Sequence, residues 1–309
     1  MNRGEKLKIL IVGGSGLTGS VLAEMAVKYF DVYATYLSNP LTIKNCKFFS
    51  LDITKSEDVL QLIKKISPDV VVHTVGIPGV DFCETHPDET WRIHVEGTRN
   101  IAEGCRNIGS KLIYMSTDYV FDGEKGGYSE DDEPRPISVY ARTKLEAERI
   151  VQSFGIPYAI VRPAVIYGWH PKSRFLNWIL GKLVKNEKVP AFADQYSCPT
   201  LVYNLAEAIL KLAETENIGI YHTVGSSCVN RFEFARKTAE IFGFDESLIE
   251  PVSSESVKQA AKRPKMLCLD NSKVQKDLRV KFLGIEDGLV ETKGRASFEY
   301  TDLLKKLGG

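Results

Sequence analysis

The sequence lacks an excess of charge of either sign, and it also lacks long apolar runs. Its 40 basic and 40 acidic residues cancel. We therefore predict neither a cationic face for nucleic acid nor a polybasic segment for a membrane surface. No apolar stretch is long enough to span a bilayer, and residues 1–6 do not have the apolar core of a secretion signal. We expect a cytoplasmic protein with no nucleic-acid partner and no membrane partner.

Cysteine is also scarce, with six residues in a chain of 309. The six are scattered, and no two of them form a C-x-x-C pair. This spacing favours reduced thiols over a disulfide framework or a zinc site. No cluster of histidine, cysteine or carboxylate residues has the spacing of metal ligands, so we expect no metal.

The glycines near the N-terminus are the most informative feature that is present. Residues 7–12 are almost all apolar, as in a strand buried on both faces of a parallel sheet. Gly13, Gly16 and Gly19 follow at intervals of three, and a helical pattern begins at once. The first glycine permits a tight turn, the second lets a pyrophosphate touch the backbone, and the third lets the helix pack against the strand. An ordinary glycine-rich turn is the alternative, but the position between strand and helix favours a dinucleotide-binding loop.

Strand and helix patterns alternate along the first half of the chain. This alternation predicts an α/β fold with a doubly wound parallel sheet of the Rossmann type. We assign residues 1–162 with 200–225 to a dinucleotide-binding domain, and residues 163–199 with 226–290 to a smaller mixed substrate-binding lobe. Residues 291–309 are expected to form a C-terminal tail, in which 300–307 has the pattern of a short helix.

Ligands of doubly wound sheets bind beyond the carboxyl ends of the strands. Asp52 follows the predicted strand over 47–51, and its carboxylate could accept a hydrogen bond from an adenine amino group or cap the next helix. Val75 and Gly76 follow the strand over 69–74, where small residues would let the backbone pass close to a flat ligand. The polar residues 116–118 follow the strand over 111–115.

The end of the second strand bears on the choice of cofactor. A carboxylate there would bind the ribose 2′-hydroxyl and repel a 2′-phosphate. No carboxylate occurs from Thr35 to Asn39, and Ser38 could donate a hydrogen bond to a phosphate. These residues favour NADP(H) over NAD(H).

Tyr140 and Lys144 lie four residues apart on a helix predicted over 138–154, so they share one face. An ammonium beside a phenol favours the ionised form, so we predict a lowered pKa for Tyr140. Such a phenol can pass a proton to or from a carbonyl oxygen during hydride transfer. A chance pair on a solvated helix face is the alternative. Of the 13 tyrosines, only Tyr140 has a lysine four residues further on, which favours the catalytic interpretation.

Together these motifs resemble the extended short-chain dehydrogenase/reductases, and within them the dTDP-4-dehydrorhamnose reductase family. The resemblance covers residues 7–290. His94 stands where many members have asparagine, and Val165 stands where they have tryptophan. The motifs that carry the resemblance are Gly13–Gly19, Val80–Glu84, Ser116–Gly123, Tyr140–Lys144, Asp194-Gln195 with Pro199-Thr200, and Arg263-Pro264 with Leu269-Asp270.

The resemblance implies that NAD(P)H reduces a nucleotide-linked 4-keto sugar. Tyr140 would donate the proton, Lys144 would hold the nicotinamide ribose, and Thr117 would hydrogen-bond the substrate carbonyl. The other implied contacts are Gly13, Gly16, Leu17 and Thr18 with the pyrophosphate, Asp52 and Ile53 with the adenine, Val75 and Gly76 flanking the cofactor, Pro163 and Val165 on the nicotinamide and sugar side, Asp118 with the sugar, and Arg263 with the substrate.

Two other functions would use the same motifs, and the sequence leaves both open. One is an NADP-binding regulatory subunit that resembles the subunit of methionine adenosyltransferase. The other is a sugar-nucleotide epimerase or dehydratase. The resemblance also leaves room for a homodimer.

Overall fold

A computed structural model of the protein describes residues 6–296. The short helix predicted over 300–307 lies outside these residues. The strands, in chain order, are β1 Lys8–Val12, β2 Asp31–Tyr36, β3 Cys46–Ser50, β4 Val70–His73, β5 Lys111–Met115, β6 Tyr158–Arg162, β7 Ile166–Tyr167, β8 Val189–Phe192, β9 Tyr196–Ser197, β10 Thr200–Leu201, β11 Gly219–His222, β12 Val229–Asn230, β13 Ile249–Val252 and β14 Met266–Leu267.

The α-helices, in the same order, are α1 Leu17–Ala26, α2 Ser56–Ile66, α3 Val80–Thr85, α4 Pro87–Trp91, α5 Gly97–Ile108, α6 Val139–Ser153, α7 Arg174–Val184, α8 Val202–Glu214, α9 Arg231–Phe242, α10 Ser272–Leu278 and α11 Ile285–Arg295. A π-helical turn, Arg92–Glu96, joins α4 to α5. Within residues 6–296, no helix is long and apolar enough to cross a bilayer.

Seven parallel strands form the central sheet in the order β3-β2-β1-β4-β5-β6-β11. In this sheet Ile9 lies opposite Val32 on one side and Val70 on the other. The strand order reverses between β1 and β4, and ligands of such sheets bind at the carboxyl ends beside this reversal. The prediction of a doubly wound, Rossmann-type sheet is confirmed.

Both faces of the sheet are covered by helices. Ile9 and Ile11 of β1 point into one apolar core with α1, α8 and α10. Leu10 and Val12 point into the opposite core with α2, α5 and α6. All four side chains are completely buried. Burial on both faces explains why the strand sequences are apolar without alternation.

Helices α7 and α9 and the strands β8, β9, β12, β13 and β14 lie outside the central sheet, and we call this group the small lobe. Strands β12, β9 and β14 form one sheet, and β8 pairs with β13. Helix α11 shares an apolar cluster with α7 and α9, and its Leu289 is completely buried there. This helix runs through residue 291, so the predicted tail begins inside a packed helix.

Two of the cysteines are paired, and the expectation of reduced thiols throughout is therefore wrong. Cys228 and Cys268 form a disulfide, with their Cα atoms 5.5 Å apart. Cys228 immediately precedes β12 and Cys268 immediately follows β14, and both strands pair with β9. A sequence separation of 40 conceals this proximity in the sequence. The free thiol of Cys198 lies within 4.8 Å of both sulfur atoms.

We predict that the unfolded, unreduced protein contains four reactive thiols, because two of its six cysteines are bonded to each other. Titration with a thiol reagent in denaturant should give four, and six after reduction. Reduction should also lower the free energy of unfolding by about 4 kcal/mol, since the cross-link closes a loop of this length. Six thiols before reduction would contradict the pairing.

Candidate active site

A cavity of about 880 Å³ lies beyond the carboxyl ends of the central strands, between the sheet and the small lobe. Open α/β sheets bind their ligands at this position. The cavity brings together most of the residues that the sequence singled out. Those that line it are Gly16, Leu17, Thr18, Val75, Gly76, Thr117, Asp118, Tyr140, Lys144, Pro163, Val165 and Arg263.

Four of the predicted residues do not line this cavity. Ser38 is exposed, two residues beyond the end of β2. The Asp52 carboxylate accepts hydrogen bonds from the Thr54 amide at 2.9 Å and the Thr54 hydroxyl at 2.7 Å, which stabilises the turn before α2. Ile53 is buried against α5. The fourth residue, Gly13, lies in the turn between β1 and α1, outside the cavity lining.

The glycine loop meets a steric requirement at Gly13 and Gly19, and it leaves the helix uncapped at Gly16. Gly13 has φ +92°, a left-handed conformation that favours glycine. A Cβ atom on Gly19 would lie 2.2 Å from the Gly13 carbonyl oxygen, so only glycine lets α1 begin this close to β1. Gly16 is the N-cap of α1, and no side chain caps the helix there. The first amides of α1 are therefore free to bind an anion from the cavity.

We predict that Gly19→Ala destabilises the protein by about 1–3 kcal/mol, the range for overpacked sites. The new methyl group must push the Gly13 backbone away. Gly294→Ala is the matched control, because its Cβ would meet nothing within 4 Å on the exposed side of α11. Chemical denaturation should show a loss for the first variant and a gain of about 0.5–1 kcal/mol for the second. Equal stabilities for Gly19→Ala and the parent protein would refute the steric argument.

Lys144 is anchored between the ends of β4 and β5. Its Nζ atom donates a hydrogen bond to the Met115 carbonyl oxygen at 2.7 Å and lies 4.2 Å from the centre of the Tyr114 ring. A Cβ atom on Gly76 would lie 3.9 Å from the same Nζ. The ammonium therefore faces the backbone at Gly76 across the floor of the cavity.

Tyr140, Thr117 and Asp118 form a second polar group in the cavity lining. The Thr117 hydroxyl donates a hydrogen bond to Asp118 Oδ1 at 3.0 Å, and it lies near enough to the Tyr140 phenol to lower the pKa of that group. The rings of His94 and Tyr119 meet the Tyr140 ring edge to face, at centroid distances of 5.7 and 5.9 Å. These rings fix the orientation of the phenol.

Burial, rather than the neighbouring ammonium, dominates the pKa of Tyr140. Desolvation raises the pKa of this phenol above its ordinary value, and the Thr117 hydrogen bond opposes the shift only in part. Desolvation also lowers the pKa of Lys144 to about 7, against the opposing influence of Glu148. The prediction of a lowered Tyr140 pKa is wrong, because Lys144 donates to a backbone carbonyl and not to the phenol.

Asp118 is 2% exposed, and desolvation raises the pKa of its carboxyl group to about 7. The Thr117 hydrogen bond and the charge of Arg231 oppose this shift. Its Oδ2 atom has no hydrogen-bond partner within residues 6–296, although the residue lines the cavity. A buried oxygen of this kind is suited to a ligand hydroxyl.

We predict that Asp118 makes folding pH-dependent. Its pKa is raised in the folded state, so its contribution to stability is full below about pH 4 and is lost as the pH rises towards 7. From pH 5 to pH 8, the protein should lose about 2 kcal/mol relative to Asp118→Asn, which has no proton to release. Urea denaturation of both proteins at the two pH values measures this difference. A difference that does not change with pH would contradict the raised pKa.

His94 lies in the π-helical turn and bridges two walls of the site. Its Nε2 atom accepts a hydrogen bond from the Ile77 amide at 2.8 Å, and its Nδ1 atom lies 2.9 Å from the Thr143 hydroxyl of α6. The first contact requires an unprotonated Nε2, so Nδ1 carries the proton and donates to Thr143. Burial and the charge of Lys144 lower the pKa of His94 to about 2. The neutral ring ties the strand-end loop to the helix of Tyr140.

The Val80–Glu84 motif holds two other parts of the site. The Glu84 carboxylate accepts a hydrogen bond from the first amide of α6, on Val139, at 2.9 Å. Asp81 accepts two hydrogen bonds from the Arg263 guanidinium, at 2.6 and 2.9 Å. This bidentate pair lowers the pKa of Asp81 and fixes Arg263 in the cavity wall.

Val165 adopts φ +37°, a left-handed conformation that is strained for a β-branched residue. The Thr200 backbone and hydroxyl hydrogen-bond Ala164, with N···O distances of 3.0 and 3.2 Å. The Pro199-Thr200 motif thus secures this turn in the cavity wall.

The sequence reasoning assigned no role to several other polar residues that line the cavity. Gln195 belongs to the Asp194-Gln195 motif, and no motif marked the others, which are Lys172, Arg174, Arg231 and Gln259. The sequence did contain one sign of the position of Arg231. Asn230 and Glu233 have the spacing of a helix-capping box, and they form that box at the start of α9. That box places Arg231 at the first position of the helix, beside the cavity.

The glycine loop and the Thr117–Tyr140–Lys144 group around one cavity define an extended short-chain dehydrogenase/reductase. Residues 7–294 match the family described as RmlD substrate binding domain. The chain belongs to this family, and the predicted resemblance is confirmed.

Two curated relatives illustrate the range of the similarity. The probable low-salt glycan biosynthesis reductase of Haloferax volcanii is 32% identical over 285 residues, which cover 90% of this chain and 95% of the relative. The methionine adenosyltransferase 2 subunit beta of Bos taurus is 30% identical over 283 residues, which cover 87% and 81%.

Two solved structures share the fold over 94% of this chain and 99% of their own. The dTDP-4-dehydrorhamnose reductase of Bacillus anthracis, in complex with NADP, is 30% identical with a TM-score of 0.85. MoeE5, in complex with UDP-glucuronic acid and NAD, is 25% identical with a TM-score of 0.81.

Proposed function

We propose that the protein is an NAD(P)H-dependent reductase of a nucleotide-linked 4-keto sugar. One observation carries the proposal: an uncapped helix N-terminus, a lysine ammonium and a protonated phenol line the same cavity. Chains of the same family include dTDP-4-dehydrorhamnose reductases, which supports the reaction type.

The glycine loop would hold the diphosphate of the dinucleotide, with the backbone of Gly16, Leu17 and Thr18 facing it. Gly13 would support the loop, and the adenosine end would extend towards Ser38, Asp52 and Ile53 at the neighbouring strand ends. The nicotinamide, when bound, supplies the hydride. The chain's own residues on that side would be Val75, Gly76, Lys144 and Pro163, which line the cavity together.

Tyr140 would give the proton to the substrate carbonyl oxygen. Its raised pKa keeps the phenol protonated at neutral pH, which is the form that a proton donor needs. Thr117 would hydrogen-bond the same carbonyl, and Lys144 would hold the ribose. The unpartnered Oδ2 of Asp118 would bind a sugar hydroxyl, and Val165 and Arg263 would line the sugar side.

The nucleotide sugar is the proposed substrate because the lobe side of the cavity is cationic. Arg174, Arg231 and Arg263 line it, and guanidinium groups bind phosphates well. We propose NADP(H) over NAD(H) as the cofactor, on the absence of a carboxylate from Thr35 to Asn39. Both cofactors occur in related structures.

A second candidate is a regulatory subunit that binds NADP(H) without turnover. The 30% identity to a methionine adenosyltransferase subunit favours it. An epimerase or dehydratase is a third candidate, and nicotinamide retained through purification would favour it.

The homodimer and the division into two domains remain predictions made from the sequence.

We expect the purified protein to oxidise NADPH in the presence of at least one member of a panel of 4-keto nucleotide sugars. Absorbance at the reduced-nicotinamide band measures this, with the corresponding 4-hydroxy sugars as the control panel. Tight NADPH binding with no turnover on any substrate would contradict the reductase and favour the regulatory subunit.

We predict that Tyr140→Phe cuts kcat by two or more decades, a loss of roughly 3 kcal/mol of transition-state stabilisation. The variant lacks only the hydroxyl group, so its NADPH affinity should be nearly unchanged. Tyr29→Phe, at a tyrosine that is 62% exposed, is the matched control. Turnover equal to that of the parent protein would remove Tyr140 from the mechanism.

A further inference from the structure

The segment between β7 and α7, residues 168–173, crosses from the small lobe to the glycine loop. The Lys172 ammonium donates a hydrogen bond to the Ser15 carbonyl oxygen, and His170 Nε2 lies 3.0 Å from the Ser20 hydroxyl on α1. The Asn177 amide of α7 donates to the His170 carbonyl at 2.9 Å, which holds the segment from behind. Contacts with the glycine loop and α1 on one side, and with α7 on the other, therefore hold this segment in place.

Lys172 lines the same cavity as Gly16, Leu17 and Thr18. Its recorded contact is a neutral carbonyl, and no carboxylate forms an ion pair with it among the described residues. Among the other cations of the cavity wall, Lys144 donates to Met115, Arg263 is paired with Asp81, and the Arg231 guanidinium lies over the Phe175 ring. Arg174 also lines the cavity, on the lobe side. Lys172 is thus an exposed cation beside the free amides of α1, without an ion-pair partner among the described residues.

The dinucleotide-binding side offers little positive charge of its own at this place. No lysine or arginine occurs from Gly13 to Lys28 except Lys28 itself, at the far end of α1. None occurs from Val32 to Pro40, along β2 and beyond it. A helix N-terminus supplies the equivalent of only about half an elementary charge. A dinucleotide diphosphate carries two negative charges, so a further cation would strengthen its binding.

We infer that Lys172 binds a phosphate group of the dinucleotide and thereby clamps the small lobe onto the cofactor. The inference rests on the cofactor site of the proposed function, and it adds a contact that the glycine loop cannot supply. The bridging diphosphate is the source that the position beside Gly16 favours. The 2′-phosphate is the other source of the same chemistry, and it is present in NADPH but not in NADH.

The test is to titrate each protein with NADH and with NADPH at two salt concentrations. Binding is monitored by the fluorescence of the bound reduced nicotinamide. The proteins are the parent chain, Lys172→Met, Lys172→Arg and the matched control Lys185→Met. Lys185 is an exposed lysine at the end of α7, on the same lobe but outside the cavity lining. Circular dichroism of each variant checks that it is folded.

We expect Lys172→Met to weaken the binding of both cofactors by roughly 10- to 100-fold, as for the loss of one hydrogen bond to a charged group. Its binding should also depend less on salt, while Lys172→Arg and Lys185→Met stay close to the parent protein. A loss confined to NADPH supports the phosphate contact with the 2′-phosphate as its source. Unchanged affinity for both cofactors, or an equal loss in Lys185→Met, overturns the inference. A parent protein that binds neither cofactor would instead refute the proposed function.

Discussion

The close approach of Gly19 to the Gly13 carbonyl is the contact on which the rest of the site depends. Because no Cβ atom intervenes, α1 begins directly at the end of β1 and its N-terminus opens into the cavity. The parallel sheet places the ends of β4 and β5 at the same edge. An anion bound at the loop would therefore have a fixed distance to every group that follows those strands.

The second constraint is the attachment of α6, which carries Tyr140 and Lys144. Its first amide is bonded to Glu84, Lys144 reaches Met115 on β5, and Thr143 is joined to His94. These three contacts tie the helix to three separate parts of the sheet domain. The phenol is therefore positioned by the fold before any ligand binds, as preorganised catalysis requires.

The sequence was sufficient for the fold class, because burial on both faces produces the apolar runs of β1 and β4 and because steric limits dictate the glycine spacing. The proximity of Tyr140 and Lys144 on one helix face also followed from spacing alone. Their pKa values did not, since they depend on burial and on the direction in which the Lys144 side chain points. The pairing of Cys228 with Cys268 likewise depends on their common neighbour β9, and the contact of Lys172 with Ser15 depends on how a lobe segment packs. Neither contact leaves a local pattern in the chain.

The most direct test of the central claim is a crystal structure of the protein in complex with NADPH. We predict a diphosphate at the Gly16 end of α1 and a nicotinamide ring in contact with Lys144 and the Tyr140 phenol. A ring that lies outside this cavity, or that is separated from the phenol by the width of the cleft, would contradict the account.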